Sequence, residues 1–369
     1  DFKYPSLWKS NIAADYKFGD GWVATIELLY SKDINAIYHD NIGLYRTEQF
    51  VNDGGAGNAR PYYNGYYSDR EGNQKAANHV VMLRNTSKGH SLYTTFQLQK
   101  NFVDGILKGL YLNGSYSFGQ SRGVTDGTSS VATSAWKYRA ALDGNAEEVG
   151  YTAGSFDGRL LLSASYTANW SKYAATSFGL IYQRYRPFRY SYCYNGDANG
   201  DSQFSNDLMY IPANFDEVKD HLLPGDFDSQ EDAWKAMNAF IEQDPYLSKH
   251  RGEYAERSGA VAPFANQLDL SVSHDIKIYQ KNGRSHTLRF SFNIANFLNL
   301  LNRNWGVVQT TVLGNQQYQF LTIPKGQGPS AANNYTLKYT MAKDLDETFK
   351  DNLNDVSRWQ MQFGIKYIF

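Results

Sequence analysis

The feature that most constrains the fold is a strict alternation of large apolar and polar side chains, clearest in the last twelve residues, RWQMQFGIKYIF. Only Ile368 breaks the alternation there. A period of two is that of a β-strand with two unlike faces. The segment is therefore predicted to be a strand whose apolar face contacts either the core of a soluble sheet or lipid. The alternating apolar side chains are Trp359, Met361, Phe363, Ile365, Tyr367 and Phe369.

The same alternation predicts eight further strands, arranged as four hairpins. The paired segments are 7–18 with 22–30, 92–102 with 110–118, 160–170 with 178–185, and 268–278 with 288–297. Aromatic residues gather at the strand ends, as in the interfacial girdles of outer-membrane barrels. These residues include Trp8, Phe18, Trp22, Tyr30, Phe102, Trp170, Trp359 and Phe369.

The connections between the predicted strands alternate in length. Within each hairpin the turn is short, whereas the connections between hairpins are long (about 32–91, 119–159, 186–267 and 298–357). Compact soluble domains seldom use structureless loops beyond about 15 residues, but outer-membrane barrels combine short periplasmic turns with long outer loops. The predicted fold is therefore an all-β, transmembrane antiparallel β-barrel with long extracellular loops. A soluble sandwich or propeller is the alternative, although no repeat of fixed period is present.

Composition limits the functional classes. The mean hydropathy is −0.56, and no run approaches the roughly 18 apolar residues that a membrane helix needs. Membrane strands remain possible because their signal lies in alternation. The formal net charge is −1, so no strong field attracts nucleic acid, and no nucleic-acid partner is expected. The single cysteine, Cys193, excludes an internal disulfide framework.

Nine strands do not close a bacterial barrel, because such barrels have even strand numbers and both chain ends on the periplasmic side. If Phe369 is periplasmic, the first predicted strand, 7–18, begins outside the cell. An open sheet edge is not tolerated in lipid. We therefore expect another polypeptide, or an N-terminal half of the barrel outside these 369 residues, to pair with strand 7–18 and with the closing strand.

Three segments carry a family resemblance. The ending SHTLRFSFNIANFLNLLNRNWG, a long loop and then RWQMQFGIKYIF resembles the C-terminus of TonB-dependent outer-membrane transporters. NGDANGDSQFSNDLMYIP and LLNRNWGV resemble more specifically the Oar-like branch, which carries a carboxypeptidase-regulatory-like domain. Asn296-Phe297-Leu298 stands where the family has an NLF-like motif. The terminal Phe369 also resembles the mark that the barrel-insertion machinery reads.

The resemblance implies that residues 1–369 are the C-terminal portion of one 22-stranded barrel, whose plug and first strands are not in this chain. It implies active uptake of an unidentified ligand (a peptide, a glycan or a metal chelate) across the outer membrane of a Gram-negative bacterium. TonB would act through the plug, and the missing N-terminal half of the barrel and the lipid would be the other partners. A passive porin and a surface-exposed binding or adhesion barrel are the alternatives.

A candidate metal loop lies in DANGDSQFSND, residues 197–207. Asp197, Asn199 and Asp201 occupy positions one, three and five, and Gln203 and Asp207 add later oxygens. Ca²⁺ takes six to eight oxygen ligands, and a tight loop can direct alternate side chains at one centre. An EF-hand is not supported, because position six is Ser and the late acid is at position eleven. A structural Ca²⁺ that fixes an outer loop is predicted, with an ordinary polar turn as the alternative.

A tyrosine-rich stretch, RPYYNGYYSDREG, lies in the first long connection. Tyr62, Tyr63, Tyr66 and Tyr67 flank an Asn-Gly turn. Exposed tyrosine is a contact residue of low conformational entropy. These four residues are therefore candidate ligand-binding residues, with a self-packed loop tip as the alternative.

A helix is predicted in the third long connection. Ser229 followed three residues later by Asp232 is a capping pattern. An apolar stripe of Ala233, Trp234, Met237, Phe240 and Ile241 follows, and Asp244-Pro245 ends it. The stripe is expected to pack against the rest of the loop.

No catalytic motif is present. The seven histidines show no metal-ligand spacing such as HExxH, and there is neither a GxSxG motif nor a P-loop. The sequence therefore predicts no enzymatic activity. The polar faces of the strands instead predict a mixed-charge lumen that contacts a plug or lines water. Its residues include Glu27, Gln97, Arg159, Asp269, Arg289 and Asn293.

Overall fold

A computed structural model describes residues 2–369 except 56–58, 65, 69–73, 77–79, 128, 280–284 and 315–316. For residues 66–68, 74–76, 279 and 285 it describes the backbone alone. The chain is mostly β, and its principal sheet is large and antiparallel.

Nine strands form the main path of this sheet in the order of the sequence. The strands are β1 (Leu7–Phe18), β2 (Trp22–Asp33), β3 (His90–Asn101), β4 (Leu110–Gly123), β5 (Arg159–Ser171), β6 (Ala174–Tyr185), β7 (Ala265–Tyr279), β8 (Ser285–Ala295) and β9 (Gln360–Ile368). Gly150–Tyr151 adds a short tenth strand beside β4. Each strand lies next to its predicted neighbour, and β1 and β9 lie at the two edges without pairing with each other in the described chain.

The register aligns the apolar positions of neighbouring strands. Ile26 lies opposite Phe96, Phe96 opposite Tyr116, and Tyr116 opposite Leu160. Because side chains alternate between faces, a match at one position places the whole apolar set of each strand on one face. The large side chains of this face are exposed, including Phe96 at 47%.

The opposite face carries hydrogen-bonded polar pairs. Gln97 Nε2 donates to Asn113 Oδ1 at 2.7 Å, and Arg289 Nε donates to Asp275 Oδ1 at 2.6 Å. The predicted lumen residues all lie on this face according to the strand register. They are Glu27, Gln97, Arg159, Asp269, Arg289 and Asn293.

The short turns and the long connections lie at opposite ends of the sheet, since consecutive strands run antiparallel. The first turn depends on glycine: Gly21 has φ +80°, and a Cβ there would lie 2.6 Å from the carbonyl oxygen of Asn101. Such a position excludes larger residues. The predicted turn at 280–284 lies outside the described residues.

The strand β8 ends earlier than the sequence predicts. We expected it to continue to Phe297, but it stops at Ala295 because Asn296 takes a left-handed conformation with φ 52°. The Asn296 side chain then donates to the carbonyl oxygens of Gly306 and Ser357 at 2.8 and 3.1 Å. Phe297 instead begins a short helix.

Three α-helices are present in the described residues: α1 (Ala132–Lys137), α2 (Gln230–Gln243) and α3 (Phe297–Leu301). The predicted cap of α2 is confirmed, because Ser229 Oγ accepts the backbone N–H of Asp232 at 3.1 Å. No helix in the part of the chain that the structure describes is long and apolar enough to cross a membrane.

The four long connections (34–89, 124–158, 186–264 and 296–359) pack together into one layer, here called the outer layer. Short strands and 3-10 helices build it. Its strands are Ala36–Asn41, Tyr45–Phe50, Pro61–Asn64, Tyr66–Ser68, Gln74–Ala76, Val81–Thr86, Arg189–Tyr192, Tyr210–Ile211, Glu253–Tyr254, Ala260–Val261, Gln309–Thr311, Gln317–Tyr318, Leu321–Thr322, Thr340–Met341 and Phe349–Asp351. Its 3-10 helices are Phe215–Glu217, Leu247–Lys249, Ala331–Asn333 and Asp355–Ser357.

The outer layer has its own buried, aromatic core. Its central side chains are almost fully shielded from solvent, and they come from the third and fourth connections. The α2 stripe packs into this core as expected. The large core side chains include Tyr190, Tyr192, Tyr194, Leu208, Met209, Phe240, Tyr318, Phe320 and Tyr339.

Candidate functional site

Three aspartates of the predicted metal loop come together inside the outer layer. One carboxylate oxygen from each of Asp197, Asp201 and Asp207 lies within 4.8 Å of the other two. Among the described residues, no other group of His, Cys, Asp or Glu side chains is gathered in this way. We call these three residues the aspartate cluster.

The loop around the cluster is held by its own backbone amides. Asp197 accepts the N–H groups of Gly200 and Ser202 at 2.6 and 2.8 Å. Asp207 Oδ2 accepts the N–H of Ala198 at 2.8 Å. These bonds close the loop and turn its carboxylates inward.

Burial gives the cluster unusual electrostatics. Asp201 and Asp207 are both 0% exposed. Burial, followed by the charge of Asp197, raises the pKa of Asp201 to about 7. Burial and the neighbouring carboxylates also raise the pKa of Asp207 well above its usual range. Carboxylates that lie close together out of water resist ionisation unless a cation compensates them.

Arg60, from the first long connection, supplies one such cation. Its guanidinium pairs with Asp53 at 3.0 Å and with Asp207 at 3.1 Å, and it donates to the carbonyl oxygen of Leu208. Burial alone would lower the pKa of Arg60, but the two carboxylates outweigh it and raise the pKa. No spacing pattern in the sequence points to Arg60, because it lies 147 residues from its partner Asp207.

The two predicted amide ligands have other contacts. Asn199 Oδ1 accepts the N–H of Asp201 at 2.9 Å. Gln203 Nε2 donates to the carbonyl oxygen of Ser202 at 2.8 Å. Both side chains are buried beside the aspartate cluster, and their role as ligands stays a prediction.

Asn206 is a site residue that the spacing of the metal loop does not predict. Its side chain is 2% exposed and lies close enough to the Asp201 carboxylate to favour its charged form, which offsets part of the rise in its pKa. Its Oδ1 atom is buried without a hydrogen-bond partner in the described structure. The only sequence signal is its place next to Asp207, since an unpartnered oxygen depends on the folded surroundings.

The tyrosine-rich stretch lies against the metal loop. The N–H of Tyr63 donates to the carbonyl oxygen of Asn199 at 2.7 Å. Gly200 has φ +82°, and a Cβ there would lie 2.2 Å from the Tyr63 carbonyl oxygen, so the close approach requires glycine. The structure thus brings together two segments that the sequence singled out separately.

The four predicted ligand-binding tyrosines differ in their surroundings. Tyr63 is 1% exposed, and its hydroxyl donates to Asp143 at 2.6 Å, so this side chain faces the protein, as the self-packed alternative predicts. Tyr62 is partly exposed and packs on Tyr335 with ring centroids 4.9 Å apart. Tyr66 and Tyr67 lie in a short strand whose side chains are outside the described residues. Their role in ligand binding stays a prediction.

All four long connections meet at or directly beside the metal loop, residues 197–207. The first contributes Arg60, and the second contributes Ala141, whose N–H donates to the Asn206 carbonyl oxygen at 2.9 Å. The fourth contributes Leu321, whose carbonyl oxygen accepts the N–H of Asn195 at 2.8 Å. The loop is therefore a structural junction rich in oxygen ligands. No known family model, curated protein or solved structure matches this chain.

Proposed function

We propose that this chain is part of the barrel of a TonB-dependent outer-membrane transporter that takes up a peptide, a glycan or a metal chelate. The observation that carries the proposal is that large apolar side chains lie on one face of all nine strands of the principal sheet. We call this surface the apolar face. Lipid satisfies it, whereas water would not.

Exposure on the apolar face supports contact with lipid. Tyr16 on β1, Phe96 on β3 and Leu180 on β6 are 70%, 47% and 40% exposed. Single exposed apolar residues are normal on soluble proteins, but contiguous large patches mark an interaction surface. Since large apolar residues recur on every strand of this face with polar residues between them, a bilayer is the partner that fits the pattern.

The open edges support a larger barrel. β1 and β9 have free edges in the described chain. A free edge exposes unpaired backbone groups, which lipid cannot hydrogen-bond. Further strands are therefore proposed to pair with both edges, in agreement with the 22-stranded barrel that the family resemblance implies.

The two ends of the sheet support the orientation. One end carries short turns, and the other carries the packed outer layer. This asymmetry is typical of outer-membrane barrels, with short turns in the periplasm and long loops outside. The outer layer is thus proposed to be extracellular, and the polar face to surround a plug that engages TonB.

The proposal is tested on the whole protein in its own cells. It is expected to sediment with the outer membrane and to migrate faster in SDS before heating than after. Recovery in the soluble fraction without detergent would contradict the barrel.

The transport step requires a separate test. Growth on the peptide, glycan or chelated-metal fractions that the wild-type strain uses is compared in strains that lack this protein or TonB. Loss of the same growth in both strains is expected. Uptake that continues without TonB would instead indicate a passive porin, and loss of surface attachment with normal uptake would indicate an adhesion barrel.

A further inference from the structure

We propose that the aspartate cluster and Asn206 form a Ca²⁺ site that joins the four connections of the outer layer. The ligands are carboxylate oxygens of Asp197, Asp201 and Asp207 together with Oδ1 of Asn206. This inference does not depend on transport, since the site lies in the outer layer and the transport proposal rests on the sheet.

The charge balance around the cluster calls for a further cation. Arg60 is shared between Asp53 and Asp207. Within the described ranges, neither Asp197 nor Asp201 has a cationic partner within 4.0 Å. One guanidinium therefore stands against four carboxylates and pairs with two of them. Buried carboxylates are protonated, paired or bound to a metal, and a divalent cation supplies the positive charge that lets them stay ionised.

Asn206 provides an independent indication of a ligand. A buried amide oxygen normally accepts a hydrogen bond, and one without a partner needs an explanation, such as an ion. Asn206 Oδ1 has no partner in the described structure, and Asn206 directly precedes Asp207 of the cluster. A cation among the aspartates would give this oxygen a partner.

The ligand chemistry favours Ca²⁺. The side chains of the site offer oxygen only, which suits hard cations rather than zinc or copper. Mg²⁺ demands near-ideal octahedral geometry and usually keeps several waters, whereas Ca²⁺ accepts irregular sets of carboxylate, amide and backbone oxygens. The side chains of Asp197, Asp201, Asn206 and Asp207 come from one irregular loop.

A cation here would stabilise the whole outer layer. The loop binds Arg60 of the first connection, Ala141 of the second and Leu321 of the fourth. A ligand that binds the folded state but not the unfolded state stabilises the fold. Ca²⁺ is therefore expected to raise the thermal midpoint of the outer layer.

The test is calorimetric titration of Ca²⁺ into the whole protein in detergent after treatment with EDTA. Saturable binding to one site is expected, with a dissociation constant at or below about 1 mM, the weak end of the range for extracellular calcium modules. Thermal unfolding is expected at a higher temperature in Ca²⁺ than in EDTA. Mg²⁺ is expected to bind more weakly.

Matched variants assign the ligands. Asp201→Asn keeps the shape but removes the charge, and Asn206→Ala removes the unpartnered oxygen. Each is expected to weaken Ca²⁺ binding by about tenfold or more. Asp216→Asn is the control, since this carboxylate lies in the same connection but its side chain is 86% exposed. The Ca²⁺ affinity of Asp216→Asn should equal that of the wild type.

Two outcomes would overturn the site. The first is a wild-type protein that shows neither saturable Ca²⁺ heat nor a shift in its thermal midpoint. The second is unchanged affinity in Asn206→Ala, which would remove Asn206 from the ligand set. The wild-type titration is decisive even if Asp201→Asn fails to fold. Neither outcome bears on membrane insertion or uptake.

Discussion

Large aromatic side chains are exposed on the principal sheet but buried in the outer layer. On the sheet, large aromatic residues point outward, with Tyr16 70% exposed and Phe363 65% exposed. In the outer layer, Tyr192 and Phe320 are 0% exposed. We propose that the two regions fold against different solvents. The outer layer excludes water from an aromatic core, whereas the sheet is suited to lipid on its apolar face.

Charged groups differ between the two regions as well. On the sheet, Arg289 and Asp275 form an ionic pair on the polar face. The outer layer buries arginines and uses them to join segments. Burial, and then the nearby Arg257, lowers the pKa of Arg139 to about 10. Arg139 and Arg257 both donate to the carbonyl oxygen of Val124, which satisfies backbone groups that the folding of the loops buries.

The largest difference is expected from removing one phenylalanine in each region. Phe240→Ala leaves a cavity in the core of the outer layer, where the side chain is 1% exposed. A loss of about 3–5 kcal/mol in the free energy of unfolding is expected. Phe96→Ala on the apolar face should cost much less in detergent, because the side chain is already 47% exposed. Urea unfolding of both variants measures the difference, and equal losses would remove the distinction between the regions.

Replacing a buried arginine of the outer layer should lower the free energy of unfolding more than replacing an exposed one. Arg60→Met leaves Asp53 and Asp207 uncompensated and is expected to cost about 3 kcal/mol. The matched control is Arg46→Met, since this side chain is 54% exposed in its pair with Asp143. That change should cost about 1 kcal/mol or less. The same unfolding assay compares them, and similar losses would mean that Arg60 does not hold the outer layer together.

An arginine introduced on the apolar face should destabilise the protein more than one introduced on the polar face. Leu180 and Ile181 are neighbours on β6, and only Leu180 belongs to the apolar face. Leu180→Arg is expected to destabilise the protein in bilayers by about 2 kcal/mol, whereas Ile181→Arg on the polar face is expected to be tolerated. Both variants are folded into lipid vesicles, and the folded fraction is measured from the faster migration of unheated protein in SDS gels. Equal tolerance at both positions would contradict the lipid contact.

The smallest expected effect concerns the cap of α2 in the outer layer. Ser229→Ala removes the acceptor for the Asp232 N–H and is expected to cost about 1 kcal/mol. Ser229→Asp keeps an acceptor and should be nearly neutral. Hydrogen exchange at the first turn of α2 reports the difference. Equal protection in both variants would show that the cap contributes nothing.

The two regions also differ in how far sequence predicts them. The sheet strands were identified because only one face is apolar, so the period of two is visible in the sequence. In the outer layer, the strand Arg189–Tyr192 is buried at every position. Both of its faces are therefore covered, and its sequence does not show the alternation of apolar and polar residues. The packing of the four connections was not predicted, because contacts such as Arg60 with Asp207 join residues 147 positions apart.

The candidate site was predicted in part. The spacing of Asp197, Asp201 and Asp207 indicated one oxygen-rich centre, and the three carboxylates do meet. Asn206 was missed because its isolated oxygen is a property of the folded surroundings rather than of spacing. Tyr63 was grouped with exposed tyrosines, but its partner Asp143 comes from another connection.

The central claim, that the apolar face contacts lipid, is tested most directly by spin labels on adjacent residues. Cysteines replace Phe96, Gln97, Leu180 and Ile181 one at a time, and the labelled whole protein is placed in lipid vesicles. The native Cys193 is fully buried, and burial raises the pKa of its thiol, so it should stay unlabelled. Labels at 96 and 180 are predicted to collide with oxygen dissolved in lipid, and labels at 97 and 181 with a water-soluble nickel chelate. Equal access to the chelate at all four positions would contradict the account.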